Sequence, residues 1–310
     1  YLRQEKGLCR FTALAILFLY GIRLTQGALF VDSDIMLTEP EGLMFSWYGH
    51  QRFGLIVTKK LFSLVRLLPF QANALFLLTM YILVLGICFC FFQWSGGDKS
   101  CRKGAFLFAG LFLSAPCFAE QFNFVLQAFE SAAAMFFCVI AAYCSGRWIY
   151  EKKNILWALP AVAFMTWAFG SYQAYPAFYI AVVLISYITV YICQKEICGF
   201  REGLRHAGLF LAGFFSSRFC SAFLCKLQGA SSGYVDAMFW WGVKDLDTCL
   251  GSIREDVFRI YRGTWPLFFS KWFLPASLTA TALALFLGCR RRSRKFPCFQ
   301  HFKRCSCRCF

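Results

Sequence analysis

Repeated apolar runs of about 20 residues, separated by polar connectors, constrain this chain more than any other feature. A run of that length, wound as a helix, crosses a hydrocarbon core ~30 Å thick. Inside hydrocarbon only helices and closed barrels satisfy every backbone N–H and C=O. A barrel would show short stretches of alternating polarity, and that pattern is absent. Hydrophobic residues make up 59% of the chain and charged residues 15%, where a soluble domain keeps roughly a quarter of its residues charged. Mean hydropathy is +0.56. The sequence therefore predicts an all-α integral membrane protein with about eight transmembrane helices.

The runs fall at about 8–30, 71–94, 105–119, 123–143, 155–171, 174–193, 207–225 and 267–288. Residues 53–70 (FGLIVTKKLFSLVRLLPF) are apolar but interrupted by Lys59, Lys60 and Arg66 at near-helical spacing. That suits a helix lying in the membrane interface within the first external loop. Pro69 marks the break before the second span. A polytopic membrane domain is expected over 1–288, with external loops at 31–70 and 226–266. A basic, cysteine-rich cytoplasmic tail follows over 289–310, and its abrupt change of composition after Gly288 reads as a non-native end. The start at Tyr1 reads as that of a fragment or a processed product. No cleavable signal peptide is expected, because acidic residues rather than a small-residue cleavage site follow the first run.

Assigning the connectors alternately to two sides sorts their charge. The N-terminus, 95–104, 145–154, 194–206 and the tail share one side, and each is basic. The turns at 119–123 and 171–174, on the other side, contain no Lys or Arg. By the positive-inside rule the basic side is cytoplasmic, with both termini there. The loop 226–266 carries Lys244, Arg254, Arg259 and Arg262, but long loops count little in that rule. Orientation thus accounts for the net charge of +16, and a nucleic-acid partner is excluded because the basic residues sit in short connectors. Most of the 17 cysteines, among them Cys88, Cys90, Cys138 and Cys220, lie in apolar runs, where cysteine behaves as a small hydrophobe. Cys298, His301, Cys305, Cys307 and Cys309 in the tail lack the spacing of structural zinc sites. Neither metal nor cofactor is expected. No Walker loop, HExxH or GxSxG occurs, which weighs against an ATP-driven pump and the common hydrolases.

Function is therefore expected on the external face, where the large loops and polar turns gather. Asp32 and Asp34 follow the first span directly. A carboxylate there can take the proton of an acceptor hydroxyl while a lipid-borne donor stays in the membrane; ordinary solvated loop acids are the plainer alternative. Arg52, with His50 and Gln51 beside it in GHQRFG, can hold a phosphate through paired hydrogen bonds or simply snorkel. Glu120, Gln121, Gln127 and Glu130 form a third group. Glu130 lies inside the fourth span, where an ionisable residue is functional by default, and Gln127 shares its helix face. Tyr172, Gln173 and Tyr175 stand in the turn between spans five and six, as an interfacial aromatic belt or as a carbohydrate-stacking group. The loop 226–266 mixes Tyr234, Trp240 and Trp241 with Lys244, Asp245 and Asp247; it reads either as a substrate cover or as an interfacial helix pair.

Four of these stretches, in this order, resemble the bacterial O-antigen-modifying glucosyltransferases of the Gtr type II family. FVDSDIM resembles the family's acidic motif after the first span, and GHQRFGLIVTKKL its Gly-Arg segment. FAEQFNFVLQAFESA and FGSYQAYPAFYIA resemble its third-to-fourth and fifth-to-sixth span junctions. The likeness covers roughly residues 30–190. It implies a C-type glycosyltransferase, a multi-span enzyme whose catalytic carboxylate sits in the first external loop. Asp32 or Asp34 would be the base and Arg52 would hold the carrier phosphate. Ser33 splits the acidic pair here, and His50 and Gln51 separate the glycine from the arginine, so the choice between the two aspartates stays open. Gln51, Glu120, Gln121, Glu130, Tyr172 and Gln173 complete the expected substrate-binding set.

The expected activity is transfer of a hexose, glucose by resemblance, from a polyprenyl-phosphate carrier to a cell-surface glycan such as lipopolysaccharide. It would take place on the external face of the bacterial cytoplasmic membrane. A flippase for lipid-linked sugar is the alternative; such transporters tend to show internal repeats and polar residues near the midplane, and no clear repeat is present.

Overall fold

The computed structural model describes residues 5–25, 31–62, 67–96, 99–193, 199–231 and 244–264, with Gly233 and a few positions beyond 274. Every regular element among them is a helix or a short 3₁₀ turn. Tyr1–Met238 form one compact unit and Phe239–Phe310 a second.

The first unit begins with α1 (Lys6–Tyr20), extended by a 3₁₀ turn over Gly21–Leu24. Leu8, Thr12, Ile16 and Tyr20, four apart, form its buried stripe. Leu14, Leu17 and Phe18 on the remaining surface are exposed, as lipid-facing residues should be. Three short helices follow: α2 (Val31–Thr38), α3 (Pro40–Gly49) and α4 (Phe53–Leu61). Then come α5 (Pro69–Trp94), α6 (Lys99–Leu113), α7 (Pro116–Gln121) and α8 (Val125–Ile149). The unit ends with α9 (Ala158–Phe169), α10 (Tyr175–Cys193) and α11 (Phe200–Leu227).

Among the described residues, four helices are long and apolar enough to cross a membrane: Lys6–Leu24, Pro69–Trp94, Val125–Ile149 and Phe200–Leu227. They match the first, second, fourth and seventh expected spans. The third, fifth and sixth coincide with shorter apolar helices at Lys103–Leu113, Ile155–Phe169 and Tyr175–Tyr191. The run at 105–119 is divided after Leu113, and Pro116, which has no N–H to donate, opens the separate helix α7. Most of the eighth run, together with the basic tail, Tyr234, Trp240 and Trp241, lies outside the described residues.

α8 is the hub. It packs against α5, α9, α10, α4 and α2. Ala128, Ala132, Ala141, Ala142 and Ser145 let neighbouring backbones approach it closely. Phe76, Leu83, Val84, Cys138, Met165 and Tyr179 fill the core around it. The tyrosine hydroxyl of Tyr20 donates to the carbonyl of Leu113, and Asn73 Nδ2 donates to Arg23 O at 2.8 Å. These bonds tie α1 and its 3₁₀ turn to α6 and α5. The described cysteines are all free thiols.

In the second unit, α12 (Leu246–Arg262) starts where the Asp245 carboxylate accepts the Thr248 N–H at 2.9 Å and ends at Gly263, left-handed at φ 67°. Hydrogen bonds from the Thr248 side chain and backbone hold the Asp245 carboxyl below its ordinary pKa.

Candidate functional site

Two polar stretches that are far apart in sequence form one unit at the start of α8. Between α3 and α4 the chain turns through His50, Gln51 and Arg52, with Gln51 in the left-handed region at φ 58°. The Arg52 N–H returns to Trp47 O at 2.8 Å and closes the turn. From the α9–α10 connector, Gln173 Nε2 donates to His50 O at 2.8 Å. The Gly54 N–H donates to Gly170 O at 2.7 Å. Trp167 Nε1 donates to Thr58 Oγ1 at 2.9 Å and lies 3.2 Å from Gly54 O. On α11, Ser221 Oγ reaches Gln51 O at 3.5 Å. The approach needs glycine at two positions: a Cβ on Gly54 would collide with Ser171 and the Trp167 carbonyl, and one on Gly170 with the Phe53 ring. GHQRFG and FGSYQAY are thus halves of a single structure.

Arg52 is the cation of this unit. Its Cζ lies 4.7 Å from the centre of the Tyr172 ring, within range of a cation–π contact. Tyr172 and Tyr175 pack at 5.8 Å. Arg52 Nε is shielded from solvent yet has no hydrogen-bond partner. A guanidinium held by its face keeps its N–H edges for a planar acceptor, and phosphate fits that fork through two parallel bonds.

Beneath the turn lies a buried ion pair. Lys59 Nζ on α4 is 2.6 Å from Glu130 Oε1 on α8, with the two side chains 1% and 2% exposed. The same ammonium donates to Leu126 O at 2.7 Å. Neither charge would survive alone in this surrounding; together they are tolerated because each satisfies the other and the lysine gains a carbonyl. The pair fastens α4, and with it Arg52, to α8. Gln127, one turn before Glu130, is buried on the same face.

A family model described as glucosyl transferase GtrII matches residues 21–293. The chain belongs to the GtrII glucosyl transferase family. No curated protein and no solved structure matches it. Membership in the GtrII family makes the chain a glycosyltransferase, with glucose the sugar that the family's description names. The matched residues include all four stretches whose resemblance the sequence carries, and extend well beyond them.

The remaining expected GtrII site residues are more scattered. Asp32 and Asp34 lie on α2, which packs against α3 and α8. The Asp34 side chain is exposed; that of Asp32 is outside the described residues. Ser33 between them is buried, so the helix turns that residue inward. Glu120 is exposed and Gln121 half-buried on α7. Arg52, Gln51, Tyr172 and Gln173 are brought together, whereas no described hydrogen bond joins Asp34, Glu120 or Gln121 to them. Glu130 is engaged by Lys59 rather than open to a ligand. From the sequence, Lys59 reads as one charge of an amphipathic face. The signal for its role was two opposite charges inside apolar runs, each needing a partner. Trp167 and Ser221 carried no signal at all.

Proposed function

We propose that the chain transfers glucose from a polyprenyl-phosphate carrier to a cell-surface glycan, on the external face of the bacterial cytoplasmic membrane. Arg52 carries this reading: a guanidinium stacked on Tyr172 with a free Nε is suited to hold the carrier phosphate. Its position supports the orientation as well. The turn holding Arg52 packs near the start of α8, while Arg147 and the basic connector lie at its far end. With the basic end cytoplasmic, Arg52 faces outward and both termini lie inside. On this reading 1–288 form the membrane domain and α4 sits at the bilayer interface.

The reaction is a displacement at the anomeric carbon. An acceptor hydroxyl attacks that carbon as Asp32 or Asp34 takes its proton. The bond from the carbon to the phosphate oxygen breaks, and polyprenyl phosphate leaves with the electron pair. Arg52 stabilises the charge that develops on the leaving group. Gln51, Tyr172, Gln173, Glu120 and Gln121 serve in substrate binding.

The test is transfer of radiolabelled glucose from its polyprenyl phosphate to a lipopolysaccharide-type acceptor by the purified, reconstituted chain. Replacing the catalytic aspartate by asparagine is expected to lower kcat about 10²–10⁴-fold. Arg52→Ala is expected to raise the donor KM, with partial recovery in Arg52→Lys. Undiminished transfer by the Asp32→Asn/Asp34→Asn double variant would remove the base assignment. Flipping of the lipid-linked sugar without transfer would replace the enzyme by a transporter.

A further inference from the structure

The far end of α8 carries a polar cavity, which the proposed glucosyl transfer leaves unused. Where α8 ends and α11 begins, Trp148, Lys152, Lys153, Arg201, Glu202 and Arg205 line a pocket of 440 Å³. Four cations there meet one carboxylate, and that carboxylate is already engaged. Glu202 Oε2 accepts the Gly199 N–H at 3.0 Å and so caps α11. Its other oxygen stands 3.9 Å from Arg205 Nη1. Among the described residues, Lys152, Lys153 and Arg201 have no carboxylate partner.

The backbone makes the gathering of these charges more telling. Lys152 lies in the left-handed region at φ 51°, a position that glycine or asparagine normally fills at the end of a helix. Around it the Glu151 N–H returns to Gly146 O at 3.3 Å and the Lys153 N–H to Arg147 O at 3.2 Å, fixing the backbone that carries both lysines. Arg205 is held over the Trp148 ring, with Cζ 5.8 Å from its centre.

What lies below the charges selects the ligand. Phe200, Leu204, Leu211 and Phe215 are exposed and fall on one face of α11, beginning at the level of Arg201. Ile155 and Leu156 are exposed next to Lys153. On the neighbouring face of α11, a 340 Å³ apolar furrow against α10 is lined by Tyr187, Gly203, His206 and Phe210. Gly203 and His206 are each one residue along from Glu202 and Arg205. A free phosphate would satisfy the cations alone; a lipid phosphate satisfies them and covers the apolar surface too.

We propose that this pocket binds the phosphate of an anionic membrane lipid, with the lipid's chains lying along α11. Arginine forks take the phosphate oxygens while the lysines add point charge. The site is independent of the transfer reaction at the other end of α8.

Native mass spectrometry of the detergent-purified full chain tests this, with phosphatidylglycerol, phosphatidylcholine and inorganic phosphate as separate probes. Phosphatidylglycerol is expected to be retained in preference to phosphatidylcholine. Arg201→Ala and Arg205→Ala should each weaken that retention about fivefold, and Lys152→Ala/Lys153→Ala should weaken it further than either. These exposed or half-exposed positions leave the helices intact, which an unchanged melting temperature will verify. Arg201→Lys should keep most of the binding. Equal retention of the two lipids, or retention of phosphatidylglycerol unchanged across the variants, overturns the proposal. So does inorganic phosphate displacing the lipid at equal concentration, because the apolar face would then contribute nothing.

Discussion

The two ends of α8 handle charge in opposite ways. At its start, Lys59 and Glu130 are 1% and 2% exposed and 2.6 Å apart. At its end, Arg147 and Glu151 are 24% and 26% exposed, with Nη1 and Oε2 separated by 3.1 Å. The first pair joins two helices through apolar surroundings; the second is a local contact between the last turn of α8 and a residue just past its cap. Buried charges must be matched one to one, so the start of α8 dictates the position of α4 and the turn that carries Arg52. At the more exposed end charges can outnumber their partners, and solvent absorbs the excess. The contrast separates a region where burial fixes the geometry from one where partly exposed charges escape that demand.

Breaking the buried pair should have the largest effect. Lys59→Ala or Glu130→Ala leaves an uncompensated charge and is expected to cost about 3–5 kcal/mol. Replacing both, as Lys59→Met with Glu130→Leu, is expected to restore stability to within about 1 kcal/mol of the parent or above it. Unfolding of the reconstituted chain by denaturant measures both. A single substitution costing under about 1 kcal/mol would mean that water reaches the pair and that the two ends of α8 do not differ. If the double replacement restores stability but leaves donor KM raised, the pair sets the position of Arg52 beyond holding the fold.

A smaller effect is expected at the junction above the pair. Gly170→Ala puts a methyl group against the Phe53 ring, and overpacking of this kind costs about 1–3 kcal/mol. Phe53 follows Arg52 directly, so the displacement reaches the guanidinium. The expected signature is a raised KM for the sugar donor with a modest loss of thermal stability. An unchanged KM would show that the turn adjusts without moving Arg52.

Much of the fold was legible because hydrocarbon imposes a length rule that any span must obey. The four long helices lie where apolar runs of about 20 residues announce them. Glu130 was legible for the same reason, since an ionisable group inside a span demands an explanation. Its partner was not: Lys59 sits in an apolar helix with Lys60 at its side, and the Leu126 carbonyl it also binds is 67 residues away. GHQRFG and FGSYQAY were each recognisable as polar turns, but their union depends on a hydrogen bond between residues 123 apart. No local pattern encodes such a contact. Gly54 and Gly170 carry it through the space they leave empty, which a single sequence does not display. One expected run is divided for a local reason: Pro116 opens a separate helix within 105–119, a stretch that composition alone joins.

The smallest effect should come from the exposed pair, and it tests the comparison from the other side. Glu151→Gln removes one partner of a partly exposed contact between the last turn of α8 and the residue after its cap, and such surface pairs contribute about 0.2–1 kcal/mol. Arg147 would retain its favourable place in the last turn of α8, where a cation meets the negative end of the helix, and its contact with the Trp157 ring at 5.4 Å. The loss should therefore be slight and should shrink further as salt rises from about 0.1 M to about 1 M, because the Debye length falls from about 10 Å to about 3 Å. The cost of Glu130→Ala should change little over the same range, since mobile ions do not enter a site that is almost fully buried. Measuring both variants across that salt series separates the two ends of α8 by mechanism rather than by magnitude. Equal salt dependence would mean that the charges at both ends see the same solvent.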